Sequence, residues 1–327
     1  MKLLVTGSAG HLGEALVRTL IEAGHEVAGL DILASPSTTH QGSVVDRSSV
    51  RECMAGVDAV LHTATLHKPH VATHDRQKFV DTNVTGTLNL LEEAVAARVG
   101  AFVFTSTTSV FGDALVPPPG EPAAWITERV APVPKNIYGV TKAAAENLCQ
   151  LFHRNQRLPC IVLRTSRFFP EEDDNRATRA AFADDNVTVN EFSFRRVDIE
   201  DVVSAHLRSL ERAADIGFGR YIISATTPFT PDDLGELRAD APSVLKRRVP
   251  DYERTYSRWG WQMVSSVDRV YVNAAAIRDL GWTPTHDFRS VLRRLETTGD
   301  LRSPMARLIG KKGYHDQVFE DGPFPVA

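Results

Sequence analysis

This sequence has few cysteines, a small net charge and no long apolar runs. The 327 residues include three cysteines, Cys53, Cys149 and Cys160, whose odd number and spacing exclude a metal motif, so we expect buried thiols. A net charge of -4 with interspersed signs gives no case for nucleic acid or an anionic membrane as a partner. No apolar run is long enough to cross a membrane, and the chain begins directly with a predicted strand, leaving no room for a signal peptide. A cytoplasmic location is the default expectation.

A glycine-rich loop follows the first predicted strand. Residues 1–5 are a short apolar run typical of a buried strand. The glycines that follow are spaced by three: Gly7, Gly10 and Gly13. Such glycines allow a tight turn, a close approach of the backbone to a pyrophosphate and close packing of the next helix on the sheet. The loop therefore predicts a dinucleotide site at the start of a helix, whose amides face the anion.

A second predicted strand supplies an acidic residue for the same site. The helical spacing after the glycine loop ends at Gly24, and residues 26–31 form a strand that ends in Asp31. An acid about 20 residues beyond the loop is placed to accept hydrogen bonds from the ribose hydroxyls of a dinucleotide. Because the carboxylate of Asp31 would repel a 2′-phosphate, it favours NAD over NADP.

Predicted strands and helices alternate through the first half of the chain, as in a parallel sheet covered on both faces. Further strands are predicted at 57–62, 101–106 and 158–163, and a long helix at 79–99. The predicted inner stripe of that helix is Val84, Leu88, Leu91 and Val95. We expect an α/β fold, a Rossmann-type doubly wound parallel sheet with a smaller α+β substrate lobe near the C-terminus.

The expected domain boundaries follow from this pattern. Residues 1–165 are predicted to form the NAD-binding domain, to which the chain returns at about 195–225. Residues 166–194 and 226–327 are predicted to form the substrate lobe and a tail. The tail from 301 onward could cross a dimer interface, close the pocket or extend freely.

Tyr138 and Lys142 lie four residues apart on a predicted helix and so share one face. A nearby cation lowers the pKa of a tyrosine from about 10 and makes the phenol usable as an acid or a base near neutral pH. The same spacing is common on surface helices. The pair indicates an enzyme only together with the glycine loop.

With the segment around Thr107, these motifs resemble the extended short-chain dehydrogenases/reductases. That family combines a T-G-x-x-G-x-x-G loop, a Ser or Thr at the end of the fifth strand and a Y-x-x-x-K helix, and all three occur here in order. The resemblance covers roughly residues 2–297. It implies a Rossmann-type fold, NAD as cofactor and a homodimer formed through the 79–99 helix and the Tyr138 helix.

The resemblance also implies roles for individual residues. Tyr138 would exchange a proton with a substrate hydroxyl or carbonyl, Thr107 would orient that group, and Lys142 would hold the nicotinamide ribose and lower the tyrosine pKa. Thr108 is a candidate substrate contact, and no metal is expected. The implied cofactor-binding residues are Gly7, Gly10, His11, Leu12, Gly13, Asp31, Asp46, Ala64, Asn83 and Lys142.

At several positions this chain differs from the motifs of individual members of the family, and these differences reduce the number of reactions to be expected. Nucleotide-sugar 4,6-dehydratases carry an Asp-Glu pair directly after the threonine, whereas this chain has Thr108 and Ser109, so dehydration is not expected. Arg167 replaces the asparagine with which aldose 4-epimerases grip their substrate. The stretch of about twenty residues at 170–192 is short for a nucleotide-binding insertion, which argues against a nucleotide on the substrate.

Residues 164–171 are similar to the matching segment of uronate dehydrogenases, family members that oxidise a free sugar acid. Arg167, Arg195 and Arg196 could offer a carboxylate a bidentate partner. The competing interpretation is ion pairing of these arginines with acidic residues of the 171–174 segment.

Three functional hypotheses remain open. The first is an NAD-dependent oxidoreductase that transfers a hydride at a secondary alcohol or carbonyl of a sugar, sugar acid or related polyhydroxy compound. The second is a sugar or nucleotide-sugar epimerase with tightly bound NAD. The third is a non-catalytic protein that senses NAD.

Overall fold

The structure, a computed structural model, describes residues 1–313 and 319. The predictions for the tail therefore fall largely outside the described residues. Seven strands form one parallel sheet in the order β3-β2-β1-β4-β5-β7-β8, and β6 and β9 pair in a second, two-stranded sheet. The strands are β1 (Lys2–Thr6), β2 (Glu26–Asp31), β3 (His40–Gln41), β4 (Ala59–His62), β5 (Ala101–Thr107), β6 (Ala124–Ile126), β7 (Cys160–Thr165), β8 (Phe218–Ile223) and β9 (Arg269–Tyr271).

Helices cover both faces of the main sheet and make up most of the second lobe. None of the helices in the described part of the chain is long and apolar enough to cross a membrane. The α-helices are α1 (His11–Glu22), α2 (Arg47–Cys53), α3 (Arg76–Val80), α4 (Gly86–Ala96), α5 (Ile137–Gln156), α6 (Arg176–Ala181), α7 (Asp184–Phe192), α8 (Ile199–Ile216), α9 (Leu234–Leu237), α10 (Ala241–Arg248), α11 (Tyr252–Trp259), α12 (Phe288–Thr298) and α13 (Pro304–Ile309).

The main sheet is buried on both faces, which explains the unbroken apolar runs of its strands. Side chains of a strand alternate between faces, so Leu3 of β1 joins the core beneath α1 and α8, while Leu4 joins the core beneath α4 and α5. Both leucines are fully buried, and each contributes about 1.5–3 kcal/mol. The predicted parallel, doubly wound sheet is confirmed.

The helix predicted at 79–99 differs from expectation. The structure divides this stretch into α3, a π-helical turn at Asp81–Thr85, and α4. The wider turn changes the phase of the buried stripe, so that Leu90, Leu91 and Ala94 are buried. Of the predicted inner stripe only Leu91 is buried, while Val84, Leu88 and Val95 are half-buried.

The second lobe has its own apolar core, beside the carboxyl edge of the main sheet. Strand β6, which lies between β5 and α5 in the chain, pairs with β9 of this lobe. The sequence analysis predicted that the segment containing β6 belongs to the NAD-binding domain. Tyr252 and Tyr256 contribute to its core. The expectation of buried cysteines is confirmed for Cys53, Cys149 and Cys160.

Candidate active site

A cavity of about 600 Å³ lies where strands of the main sheet end and the second lobe begins. Gly7, Ala64, Thr107 and Ser166 line it from the loops and ends of β1, β4, β5 and β7, and Tyr271 lines it from the second lobe. A crevice at the carboxyl ends of parallel strands is where open α/β sheets bind their ligands. Ten of the predicted site residues line the cavity: Gly7, His11, Leu12, Asp31, Ala64, Thr107, Thr108, Tyr138, Arg167 and Arg195.

Tyr138 and Thr107 meet in this cavity. Asn136 caps α5 by accepting a hydrogen bond from the Gly139 amide at 3.1 Å, which places Tyr138 in the first turn. A Cβ atom at Gly139 would lie 2.8 Å from the carbonyl oxygen of Ser109, so only glycine lets α5 approach the end of β5 this closely. The Thr107 hydroxyl accepts from the Ser109 amide at 3.1 Å and lies close enough to the Tyr138 phenol to lower its pKa.

Burial shifts the pKa values of both Tyr138 and Lys142. It raises the pKa of Tyr138 to about 12, and Thr107 only partly opposes this shift. It lowers the pKa of Lys142 to about 7, with Glu146 and Cys149 acting in the opposite direction. The predicted lowering of the Tyr138 pKa by Lys142 stays a prediction.

Lys142 lies behind the cavity wall and does not line it. Its side chain is 2% exposed, and Nζ lies 4.0 Å from the ring centroid of Phe104 on β5. An ammonium over an aromatic face is held by the ring quadrupole. Its proposed contact with the nicotinamide ribose stays a prediction.

The glycine loop has the geometry that close backbone approach requires. Gly7 has φ +70°, and a Cβ there would lie 2.8 Å from the amide nitrogen of Ala64. A Cβ at Gly13 would lie 1.9 Å from the carbonyl oxygen of Gly7. The first turn of α1, from His11, therefore lies directly against the loop, and its amides lack partners within the helix. This cradle fits a pyrophosphate.

Asp31 lines the cavity at the end of β2, and its two oxygens accept from the amides of Ala9 at 3.0 Å and Leu33 at 2.9 Å. Asp46, by contrast, is exposed and does not line the cavity. Its carboxylate caps α2 and accepts from the Ser48 amide at 3.0 Å. The cavity residues in this region are Gly42, Ser43 and Val44, which lie two to four positions before the predicted Asp46.

Asn83 connects two of the segments that surround the active site. Its Oδ1 accepts from the Leu66 amide at 2.9 Å, and its Nδ2 donates to Thr141 on α5 at 3.0 Å. The side chain thus joins the loop after β4 to the helix that carries Tyr138. Asn83 does not line the cavity, and neither do Gly10, Gly13 or Arg196. This geometry supports a structural role for Asn83.

The three candidate arginines are engaged in ion pairs. Arg167 donates to Asp173 at 2.7 Å, and Arg195 and Arg196 each donate to Glu191 at 2.6 Å. Glu191 is 1% exposed, and the neighbouring guanidinium groups hold its pKa far below the usual range, against the effect of burial. The structure therefore favours the ion-pair interpretation, with Glu191 as a partner that the sequence prediction missed.

Two guanidinium nitrogens at the cavity lack a partner. The Nε atoms of Arg195 and Arg269 are buried and make no hydrogen bond within the described residues. Both arginines line the cavity, and Arg269 lies on β9 beside Tyr271. Sequence reasoning missed Arg269 because β9 belongs to the second lobe, for which no motif was available.

An aromatic wall also lines the cavity. His67 has its ring centroid 5.3 Å from that of Phe169 and 6.4 Å from that of Tyr138. Phe168 stacks on His11 with centroids 6.0 Å apart. Burial lowers the pKa of His11 to about 4 and that of His67 well below 6.5, so both imidazoles are neutral at neutral pH.

One group of potential metal ligands occurs among the described residues, formed by Asp198, Glu200 and His286. The Nδ1 atom of His286 contacts a guanidinium nitrogen of Arg294. Because arginine can only donate, Nδ1 must accept and Nε2 must carry the proton. A protonated Nε2 cannot bind a metal, so this arrangement does not favour a metal site; Nε2 instead faces a carboxylate oxygen of Glu200 at 3.5 Å.

Comparison with known proteins identifies the family. Residues 3–223 match the model of the NAD dependent epimerase/dehydratase family. A dTDP-glucose 4,6-dehydratase of Streptomyces antibioticus is 30% identical over 90% of this chain and 91% of its own length. A 3-beta-hydroxysteroid dehydrogenase of Mycolicibacterium neoaurum is 33% identical over 86% of this chain and 87% of its own length. The chain spans only 39% and 52% of the lengths of two further curated relatives.

A solved structure shows the same fold. It is a short-chain dehydrogenase/reductase superfamily protein of Agrobacterium tumefaciens with bound NAD, 21% identical, with a TM-score of 0.66 over 91% of this chain and 96% of that one. This likeness and the seven-stranded parallel sheet agree with the fold implied by the resemblance. The chain belongs to the NAD dependent epimerase/dehydratase family, which confirms the family predicted from the sequence motifs.

Proposed function

We propose that this protein is a dehydrogenase or reductase that exchanges a hydride between NAD and a secondary alcohol or carbonyl of a sugar, sugar acid or related polyhydroxy compound. The observation that carries the proposal is that Tyr138 and Thr107 line the same cavity at the sheet edge, together with the glycine loop residue Gly7 and Asp31. The glycine loop and Asp31, at the ends of β1 and β2, would hold the cofactor.

Tyr138 and Thr107 would have different roles in this reaction. NAD, when bound, accepts or returns the hydride. In oxidation, the Tyr138 phenolate would take the hydroxyl proton of the substrate while the C–H bond of that carbon breaks, and Thr107 would hold the substrate oxygen by a hydrogen bond. In reduction, the neutral phenol would return the proton to the carbonyl oxygen. With its pKa at about 12, Tyr138 is mostly neutral at neutral pH and ready to act as the acid.

The cavity also supports a substrate with an acidic group. The unpartnered Nε atoms of Arg195 and Arg269 are donors that an anionic oxygen would satisfy. Arg195 pairs with Glu191 through Nη2, which leaves its Nε atom for such an oxygen. We include sugar acids among the proposed substrates for this reason.

Replacing Arg269 by Met tests this part of the proposal. We expect the KM for an acidic substrate to rise about tenfold with kcat nearly unchanged, because a charged hydrogen bond to the bound substrate contributes about 1.5–3 kcal/mol. The matched control is Arg248→Met, since Arg248 also lies in the second lobe and pairs with Asp233 outside the cavity. An unchanged KM in the Arg269 variant would remove this residue from the substrate site.

Epimerisation stays the second candidate, because the family contains epimerases and the same tyrosine serves both reactions. The full-length relatives named above include a dehydratase and a steroid dehydrogenase. Thr108 and Ser109 offer no acid-base pair for dehydration. A screen of free sugars, sugar acids, nucleotide sugars and hydroxysteroids with NAD separates these classes. Accumulation of NADH identifies a dehydrogenase, while tightly held NAD with product but no net NADH identifies an epimerase.

We further propose that the protein works in the cytoplasm as a homodimer formed through α4 and α5. Val140 and Leu151 on α5 are 49% and 37% exposed, which leaves apolar surface on the outer side of this helix. Light scattering should give the mass of two chains, and the mass of one chain would contradict the dimer.

A further inference from the structure

A buried glutamate, Glu146, lies one turn beyond Lys142 on α5. Tyr138, Lys142 and Glu146 follow at intervals of four and therefore share one face of the helix. Glu146 is 2% exposed. It does not line the cavity, so it cannot contact a substrate bound there.

The carboxylate of Glu146 joins α5 to three strands of the sheet. It accepts from the Ser106 hydroxyl on β5 at 2.6 Å and from Nη2 of Arg164 on β7 at 2.8 Å. The Nε atom of Arg220 on β8 lies 3.2 Å from the same carboxylate. Ser106 directly precedes Thr107, so this one side chain ties the Tyr138 helix to the strand that carries its hydrogen-bonding partner.

Glu146 also determines the electrostatic environment of Lys142. Burial disfavours the ammonium, and Glu146 is the largest influence in the opposite direction. The histidines near Lys142 are buried and neutral, with the pKa of each lowered first by desolvation. The titratable groups that face Lys142 are Glu146 and Cys149 on α5, His62 at the end of β4, and His67 in the loop after β4.

We infer that Glu146 is a positioning residue of the active site, which places a negative charge on the Lys142 face of α5 and holds the Tyr138 face of that helix against the end of β5. The inference rests on the proposed function together with the role that the family resemblance implies for Lys142, whose ammonium would hold the nicotinamide ribose of the bound cofactor.

The sign of the expected effect follows from the charges. Without the carboxylate of Glu146, burial lowers the pKa of Lys142 further below about 7. Lys142 then loses its proton at a lower pH. The charged lysine supports cofactor binding, so the affinity for NADH falls as the pH rises through the pKa of Lys142. When Glu146 is neutralised, this fall in affinity occurs at a lower pH.

The experiment is a titration of NADH binding, followed by NADH fluorescence, across a series of pH values in the parent protein and in Glu146→Gln. We expect the midpoint of the fall to move to lower pH by about one unit, which corresponds to a roughly tenfold weaker affinity at a pH above the parent midpoint. A midpoint that stays at its parental pH in a folded variant would overturn the inference. A parent protein that does not bind NADH would instead refute the proposed function.

The chain offers a matched control in Glu93 on α4. Glu93 is 5% exposed and accepts from Nε of Arg47 at 2.6 Å and from Nη2 of Arg51 at 3.1 Å, so it too is a buried glutamate between two arginines. It does not line the cavity. Glu93→Gln should lose comparable ion pairs and keep the parental pH midpoint. If both variants move the midpoint equally, the effect comes from lost stability and the inference fails.

Loss of Glu146 leaves Arg164 buried without its partner and can unfold the chain. The double variant Glu146→Gln/Arg164→Gln removes both charges of the pair and decides the question if the single variant does not fold. It is expected to show the same shift to lower pH, and a parental midpoint in this variant would also overturn the inference.

Discussion

Replacing Tyr138 by Phe should reduce kcat by about 10²–10⁴-fold while leaving NADH affinity within about twofold of the parent value. The substitution removes only the phenolic oxygen, which in the proposed reaction exchanges the proton with the substrate. The ring of Phe keeps the packing against His67. The change therefore separates proton transfer from folding and cofactor binding, and steady-state kinetics together with NADH titration measure the two effects.

Tyr221→Phe is the matched control. Tyr221 on β8 is 4% exposed, and burial raises its pKa to about 12, as for Tyr138, but it does not line the cavity. This variant should keep parental kcat. Equal losses in both variants, or parental kcat in Tyr138→Phe, would remove Tyr138 from the chemistry and revive the hypothesis of a non-catalytic NAD sensor.

Replacing Gly13 by Ala should weaken NADH binding by more than about tenfold and destabilise the protein by about 1–3 kcal/mol. The new methyl group would lie 1.9 Å from the carbonyl oxygen of Gly7 and 2.6 Å from its carbonyl carbon. Both are backbone atoms, so α1 must move away from the loop. That movement spoils the cradle for the pyrophosphate, and it is measured by NADH titration and thermal unfolding.

Gly235→Ala is the control for this substitution. Gly235 lies in α9, and a Cβ there meets no atom within 4 Å. Alanine favours a helix over glycine, so this variant should be as stable as the parent or slightly more stable. A Gly13 variant that binds NADH as well as the Gly235 variant would show that the loop does not form the pyrophosphate site.

The parts of the fold that follow local rules could be predicted from the sequence. Strand β2 is observed at Glu26–Asp31, the predicted range, because a buried parallel strand is a continuous apolar run bounded by turn residues. The glycine loop could be predicted because its geometry depends on residues close together in the chain. Tyr138 and Thr107 were predicted from a family motif, and the structure brings both to the same cavity.

The parts that depend on distant contacts could not be predicted. The π-helical turn at Asp81–Thr85 has no clear sequence signal, and it changes which residues of α4 are buried. Ion pairing of Arg167 with the 171–174 segment was one of the two interpretations of the sequence, but its second partner, Glu191, lies 24 residues away and had no sequence signal. Burial determines the pKa values of Tyr138 and Lys142, and burial at a single site is a property of the whole fold.

The central claim is that Tyr138 and NAD together oxidise or reduce a substrate in this cavity. The most direct test is NADH formation by the purified protein with NAD and the panel of sugars, sugar acids, nucleotide sugars and hydroxysteroids, in parallel with Tyr138→Phe. We predict that NADH accumulates with at least one polyhydroxy substrate, and that the variant loses this activity while still binding NADH. NADH formed at the same rate by both proteins, or turnover of the hydroxysteroids alone, would contradict the proposal.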